Sequence, residues 1–104
     1  MYPRTLTIDD IEALALGAWI LGTGGGGSPY HRLLNMRELY RAGHEVTLID
    51  PMSLADDALV SVLSNMGAPL VGQERLSDPA FATKPLRTME RYLGRTFDAV
   101  MSLE

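Results

Sequence analysis

A glycine-rich segment is the part of this sequence best suited to chemistry. Residues 22–27 read GTGGGG, so five of six positions are glycine, and Ser28 and Pro29 follow. Glycine lets a backbone approach a ligand closely and leaves its amide N–H groups accessible as donors. A plain connection between two helices is the alternative, but ordering five glycines costs more conformational entropy than such a connection needs. We therefore predict a small-molecule site made by Thr23, Gly24, Gly25, Gly26, Gly27 and Ser28.

The spacing of three of these glycines also matches a dinucleotide-binding fingerprint. Gly22, Gly24 and Gly27 fit G-x-G-x-x-G, and Asp50 ends the next predicted strand, where an acidic residue would bind a ribose. That fingerprint must follow a β-strand, whereas residues 8–21 have the period and composition of a helix. The nucleotide site is therefore the weaker interpretation.

Four other polar residues are candidates for the same site. His31 lies one turn into the second predicted helix, although a lone histidine is more often an ordinary surface residue. Asn65 follows an inner strand, and groups at the carboxyl ends of strands line the ligand crevice of open α/β sheets. Asp50 and Glu104 also lie at the carboxyl ends of predicted strands, and they would line the same crevice if these strands run parallel. We expect Asp50, Asn65 and Glu104 to converge with the glycine loop, defined as residues 22–28.

Three segments carry the signals of helices that would position this loop. Thr7 is the N-cap of the first helix. The acidic residues after it stabilise the helix because they lie at the positive end of its dipole. Ser28 and Pro29 open the second, as a cap and first-turn pair do. With a third periodic segment, the predicted helices cover residues 8–21, 29–42 and 85–93. The glycine loop is thus expected to connect helix to helix, with no strand before Gly22.

Three other segments are typical of strands. Alternating or continuous apolar runs rich in β-branched residues lie at residues 44–50, 58–63 and 96–103. Residues 70–76 are ambiguous between structures, and residues 77–85 read as irregular. The expected fold is α/β, with a small mixed or parallel sheet of about three strands and a helix-to-helix glycine loop.

Composition excludes several classes of protein. The 104 residues are enough for one domain, and the absence of cysteine removes disulfides, thiolate zinc sites and cysteine nucleophiles. Only His31, His44 and the carboxylates remain as ligands for a divalent metal. A pI near 5.0 argues against nucleic-acid binding. The longest apolar stretch, residues 13–21, is too short to span a membrane and lacks the basic start of a signal peptide, so we expect a cytoplasmic protein.

Four segments together resemble one protein family. They read DDIEALALGAWILGTGGGGSPY, EVTLIDPMSLADDALV, NMGAP and YLGRTFDAVMSLE. They are similar to the amino-terminal part of a bacterial and archaeal family named after S-methyl-thiohydantoin desulfurase. The resemblance implies an enzyme that acts on a hydantoin-type heterocycle and in some members removes sulfur from a thiohydantoin ring.

That resemblance implies a hydrolytic reaction, in which either a carbon–sulfur bond or a cyclic amide bond of the ring is hydrolysed. In the first case water would attack the ring carbon that bears sulfur, and the backbone N–H groups of Gly24 to Gly27 would stabilise the negative charge that develops. Glu104 or Asp50 would be the base or a metal ligand, and the residues do not decide between them. The alternative from another class is a non-catalytic domain that binds a small ligand or a nucleotide.

The sequence stops at Glu104, at the tip of a predicted apolar strand, whereas members of the family are longer. We therefore expect residues 1–104 to be an N-terminal α/β domain of a larger two-domain protein, truncated at its C-terminal end. Its expected partners are a small-molecule substrate and the missing C-terminal domain, with a second copy of the chain as a further candidate.

The isolated chain is accordingly expected to self-associate, or to melt with low cooperativity. The first helix is apolar nearly all round, and the strand that ends at Leu103 would have an open edge. Light scattering and a thermal melt measure this. A soluble monomer with one sharp transition and no dye-binding apolar surface would contradict the expectation.

Overall fold

The chain contains both helices and short strands, interspersed along its length, which confirms the mixed α/β class predicted from the sequence. The computed structural model describes residues 1–75, 78 and 80–103. The chain divides into two compact units, Met1–Leu54 and Ala55–Glu104. Each unit has one two-stranded sheet, so the strands are arranged as two pairs and not as the expected sheet of about three.

The first unit contains two helices and an antiparallel strand pair. Its elements, in chain order, are β1 (Arg4–Thr5), α1 (Ile8–Leu21), α2 (Tyr30–Arg41) and β2 (Thr47–Leu48). The strand predicted over residues 44–50 is shortened to β2, because its partner β1 has only two residues. A two-residue strand has no detectable period, so the sequence did not reveal β1.

Thr7 begins α1 as predicted. Its hydroxyl oxygen accepts a hydrogen bond from the Asp10 N–H at 3.2 Å, and the Asp10 carboxylate accepts one from the Thr7 N–H at 2.9 Å. This reciprocal capping box satisfies two N–H groups that a helix start would otherwise leave unpaired. Ile11 and Ala15, one turn apart, are buried along with Leu6, and they are the only buried hydrophobic side chains among the described residues.

The side chain of Tyr40 connects α2 to both strands of the first unit. Its hydroxyl donates to the Leu6 carbonyl at 2.9 Å and accepts from the Val46 N–H at 3.2 Å. The helix ends as predicted at Gly43, which has a left-handed φ of 87°. The next N–H, that of His44, donates to the Leu39 carbonyl at 3.0 Å and so closes the last turn.

The second unit contains a parallel strand pair. Its elements are β3 (Val60–Leu63), α3 (Pro69–Glu74), α4 (Thr83–Leu93) and β4 (Ala99–Ser102). Strands β3 and β4 pair from Val60 with Ala99 to Leu63 with Ser102. Helix α4 confirms the third predicted helix, and α3 occupies the segment that the sequence left ambiguous. Leu76, Ser77 and Pro79, which belong to the ambiguous and irregular segments, lie outside the described residues.

Two carboxylates accept hydrogen bonds from the backbone just before this strand pair begins. Asp98 donates its N–H to the Leu59 carbonyl and accepts the Leu59 N–H with its side chain, both at 2.8 Å. Glu90 is buried, and its carboxylate accepts hydrogen bonds from Arg87 at 2.6 Å and from the Phe97 N–H at 3.0 Å. The predicted strand over residues 96–103 starts only at Ala99, because the N–H groups of Phe97 and Leu59 donate to the side chains of Glu90 and Asp98 and not to the opposite strand.

The substitution Glu90→Gln is expected to reduce the loss of stability in acid. Hydrogen bonds from Arg87 and from the Phe97 N–H lower the pKa of Glu90 below its ordinary value. A carboxyl group with a lowered folded-state pKa stabilises the fold above its unfolded-state pKa, and this contribution disappears as the pH falls through the folded-state pKa. Urea unfolding followed by circular dichroism, between about pH 6 and about pH 3, measures the effect.

The control for this experiment is Glu45→Gln, which changes an exposed carboxylate of the first unit. We expect this variant to lose stability in acid as the unmodified chain does. An identical acid response of Glu90→Gln and the unmodified chain would show that the Glu90 contacts contribute nothing to stability.

Candidate functional site

The glycine loop connects α1 to α2, as the sequence predicts. Gly22–Gly24 form a short 3-10 turn, and the Gly25 N–H donates to the Gly22 carbonyl at 3.2 Å. The element before the loop is a helix that runs to Leu21, so the strand that a dinucleotide fingerprint requires is not there. The match to G-x-G-x-x-G is therefore one of spacing alone.

The two ends of the loop lie against each other. A Cβ atom built on Gly22 would lie 3.0 Å from the carbonyl oxygen of Gly27, closer than side chains normally approach a backbone atom. Gly26 and Gly27 turn the chain back with φ angles of 89° and 78°, which side-chain-bearing residues rarely adopt. The backbone geometry of the loop thus favours glycine at three positions, Gly22, Gly26 and Gly27.

The loop presents hydrogen-bonding groups that have no partner among the residues that the structure describes. The N–H groups of Gly26 and Gly27 donate to no acceptor within the described ranges, and both residues are exposed. Two hydroxyl groups lie in the same loop. The Thr23 hydroxyl donates to the Ile20 carbonyl at 3.1 Å, and the Ser28 hydroxyl oxygen accepts from the Tyr30 N–H at 3.3 Å. Gly26 and Gly27 are therefore the positions best able to bind an electronegative ligand atom.

Aromatic side chains flank the loop on both sides. Trp19 lies near the end of α1, Tyr30 is the first residue of α2, and their ring centroids are 6.5 Å apart. The His31 ring meets the Tyr30 ring edge to face at 5.6 Å. The structure therefore places His31 beside the loop, as expected, and its role as acid, base or ligand stays a prediction.

Trp19 and Tyr30 fit the apolar period of their helices, so their residue types alone do not place them in the site. Their positions within three residues of the loop, one on each side, are the signal that could have included them. Only the fold brings the two rings together, because the loop reverses the chain between them.

The remaining predicted site residues are distributed over both units. Asp50 belongs to the first unit, where its carboxylate accepts the Met52 N–H at 2.9 Å and caps the turn Pro51–Ser53. Asn65 belongs to the second unit, is exposed and follows β3 as predicted. Glu104 lies outside the described residues. The convergence of these three residues with the glycine loop stays a prediction.

A separate hollow in the first unit contains none of the predicted site residues. Its volume is about 690 Å³, and Glu12, Arg37 and Tyr40 are among its lining residues. Arg37 donates two hydrogen bonds to Glu12, at 2.5 and 2.8 Å, and this contact lowers the pKa of the Glu12 carboxyl group. Because the two charges neutralise each other and the Tyr40 hydroxyl is bonded to the backbone, this hollow has the features of a packing junction.

The described part of the chain contains neither a membrane-spanning helix nor a group of side chains that could hold a metal ion. None of its helices is both long and apolar enough to cross a membrane. No group of three or more His, Asp and Glu side chains lies close enough together there to hold a metal ion.

Residues 9–104 match the family model described as S-Me-THD-like, N-terminal domain. The chain belongs to this family. Comparison with curated proteins gave no match, and comparison with solved structures gave none either. The matched range of the S-Me-THD-like domain includes the glycine loop, the two helices that it connects and the whole second unit.

The substitution Gly22→Ala is expected to destabilise the chain by about 1–3 kcal/mol, because the new methyl group would overlap the Gly27 carbonyl. The matched control is Gly24→Ala in the same loop, where an added Cβ meets no atom within 4 Å. Urea unfolding of both variants measures the difference. Equal stability of the two variants would contradict the close approach of the loop ends.

Proposed function

We propose that this S-Me-THD-like domain contributes its glycine loop to the active site of a hydrolase that acts on a hydantoin or thiohydantoin ring. The observation that carries the proposal is the pair of N–H groups of Gly26 and Gly27, which are exposed and unpartnered among the described residues. Two adjacent backbone donors are the usual means of stabilising an oxyanion or a comparable charge on sulfur. The family match supports the substrate class.

In the proposed reaction, water attacks the ring carbon that bears the sulfur. In an S-alkyl thiohydantoin the carbon–sulfur bond breaks, and the sulfur leaves as the alkyl thiol with one proton of the water, while the other proton goes to the ring nitrogen that was double-bonded to this carbon. In an unsubstituted thiohydantoin the sulfur leaves as hydrogen sulfide with both protons. In both cases the carbon keeps the oxygen as a carbonyl group. Negative charge develops on the heteroatoms bonded to the attacked carbon, and the Gly26 and Gly27 N–H groups would donate to it.

The attacking water needs a base, and Asp50 and Glu104 are the proposed candidates. The Asp50 carboxylate accepts one backbone N–H, which holds it in a defined orientation and leaves its second oxygen available. Thr23, Ser28, His31 and Asn65 are proposed as polar groups that orient the ring. A carboxylate and a histidine are the side chains most often used for such proton transfers.

We further propose that another domain of the full-length protein completes this site. The family description denotes an N-terminal domain. Apolar side chains of α1 stay exposed in the first unit, including Leu14 at 59% and Ile20 at 66% of their full surface. Exposed apolar area of this extent is typical of a surface that another domain or chain covers.

A non-catalytic domain that binds a small ligand is the second candidate, since the same unpartnered N–H groups would bind an electronegative atom without turnover. The two candidates differ in one measurable property. The hydrolase releases thiol from a thiohydantoin, whereas the binding domain retains the compound unchanged.

The variant Gly25→Val in the full-length protein tests the role of the loop. Gly25 has a φ of 166°, which is extended backbone open to any residue, so valine adds bulk to the loop without backbone strain. Gly26 is unsuited to this test because its φ of 89° would strain any side chain, so replacing it would also cost stability. The expected result is a loss of about 100-fold or more in thiol release, with little change in melting temperature.

The control is Gly17→Val in α1, where an added Cβ meets no atom within 4 Å. It should retain both activity and stability. A Gly25→Val protein that is destabilised but fully active in its folded fraction would assign the loop a structural role. Absence of thiol or sulfide release from thiohydantoins, together with absence of ring opening of hydantoin, by the unmodified full-length protein would refute the hydrolase.

A further inference from the structure

The ring pair that flanks the glycine loop is only partly covered. Trp19 retains 46% and Tyr30 retains 48% of their full exposed surface, although their ring centroids are 6.5 Å apart with planes tilted by 40°. If the pair served only to hold the two helices together, burial of the rings would be its source of stability. Instead nearly half of the surface of each residue remains in water beside a loop with accessible N–H donors.

Half-exposed aromatic rings next to hydrogen-bond donors are suited to one class of ligand. A planar ring stacks on an aromatic face, and its exocyclic oxygen or sulfur then lies at the ring's edge, where it needs donors. Trp19 and Tyr30 offer the faces, and Gly26 and Gly27 offer the donors within the same helix-to-helix connection. The two rings and the two N–H groups carry no formal charge, and the Arg37 guanidinium that interacts with Tyr30 is neutralised by its ion pair with Glu12, so a neutral ligand is favoured over an ion.

We infer that Trp19 and Tyr30 form a stacking surface that selects a planar, uncharged cyclic amide or thioamide. This inference rests on the proposed function, and it adds the residues that determine specificity for the ring. His31 is a positioning residue in this arrangement, because its edge-to-face contact with Tyr30 at 5.6 Å restricts the tilt of that ring. Tyr30 acts through its ring and not its hydroxyl group.

The single tryptophan of the chain is a direct reporter of such stacking. The full-length protein is titrated with 2-thiohydantoin and with hydantoin while the fluorescence of Trp19, taken as the difference from a Trp19→Phe variant, is followed, and the neutral open-chain amide of hydantoic acid is the non-cyclic comparison. We expect both ring compounds to quench the fluorescence with a saturable curve, and the open-chain compound to leave it unchanged. Absence of saturable quenching by both ring compounds would overturn the inference.

Matched substitutions of Tyr30 test the stacking itself. Tyr30→Phe keeps the ring and should retain the affinity for 2-thiohydantoin, whereas Tyr30→Leu removes the ring and should weaken binding by about three- to tenfold. Equal affinity of the two variants would refute the stacking surface. Circular dichroism compares their folding, and if Tyr30→Leu fails to fold, Trp19→Leu and Trp19→Phe are compared by calorimetry in its place.

The outcomes separate this inference from the proposed function. Ring binding that depends on Tyr30, without thiol or sulfide release and without ring opening of hydantoin by the full-length protein, would refute the hydrolase and keep the stacking surface. Thiol release that Gly25→Val abolishes, with ring affinity unaffected by Tyr30→Leu, would refute the stacking surface and keep the hydrolase.

Discussion

The close approach of Gly22 to Gly27 is the constraint on which the candidate site depends. Because a Cβ on Gly22 would lie 3.0 Å from the Gly27 carbonyl oxygen, a tighter contact than most side chains make, glycine at the first position lets the loop reverse this tightly. The reversal brings the last turns of α1 and the first turn of α2 together, and so brings Trp19 into contact with Tyr30. It also leaves the Gly26 and Gly27 N–H groups without partners among the described residues. Donors and ring faces therefore follow from a single backbone requirement.

Polar contacts, more than buried apolar surface, hold the described elements in place. In the first unit, the Glu12–Arg37 ion pair joins α1 to α2, and the Tyr40 hydroxyl joins α2 to both strands. In the second unit, Glu90 and Asp98 fix the backbone at the start of the parallel pair. Directional hydrogen bonds specify geometry well, but each contributes little net stability. Precise placement of the loop is thus compatible with much exposed apolar surface.

That exposed surface bears on how the domain is used. The apolar residues of α1 between Leu14 and Leu21 remain largely uncovered, and only Ile11 and Ala15 of this helix are buried. A helix that is apolar nearly all round, and covered on one side only, has a second apolar side against which another domain can pack. The site proposed at its C-terminal end would then lie at the border between the surface covered within the unit and the surface open to another domain.

The sequence alone determined the helices around the loop, since Thr7, the glycines and Gly43 act through local backbone chemistry that needs no distant partner. It also determined the family, because that similarity extends over segments along almost the whole chain.

Strand lengths and pairing were decided by tertiary structure. The predicted strand over residues 44–50 shrank to the length of β1, and the strand over residues 96–103 began late because the N–H groups of Phe97 and Leu59 donate to the side chains of Glu90 and Asp98. The contact of Trp19 with Tyr30 was likewise decided by the fold, because the two residues meet only when a loop of defined geometry turns the chain back. Local signals report what a residue's own backbone prefers, whereas pairing depends on which segments are long enough, and close enough in space, to meet.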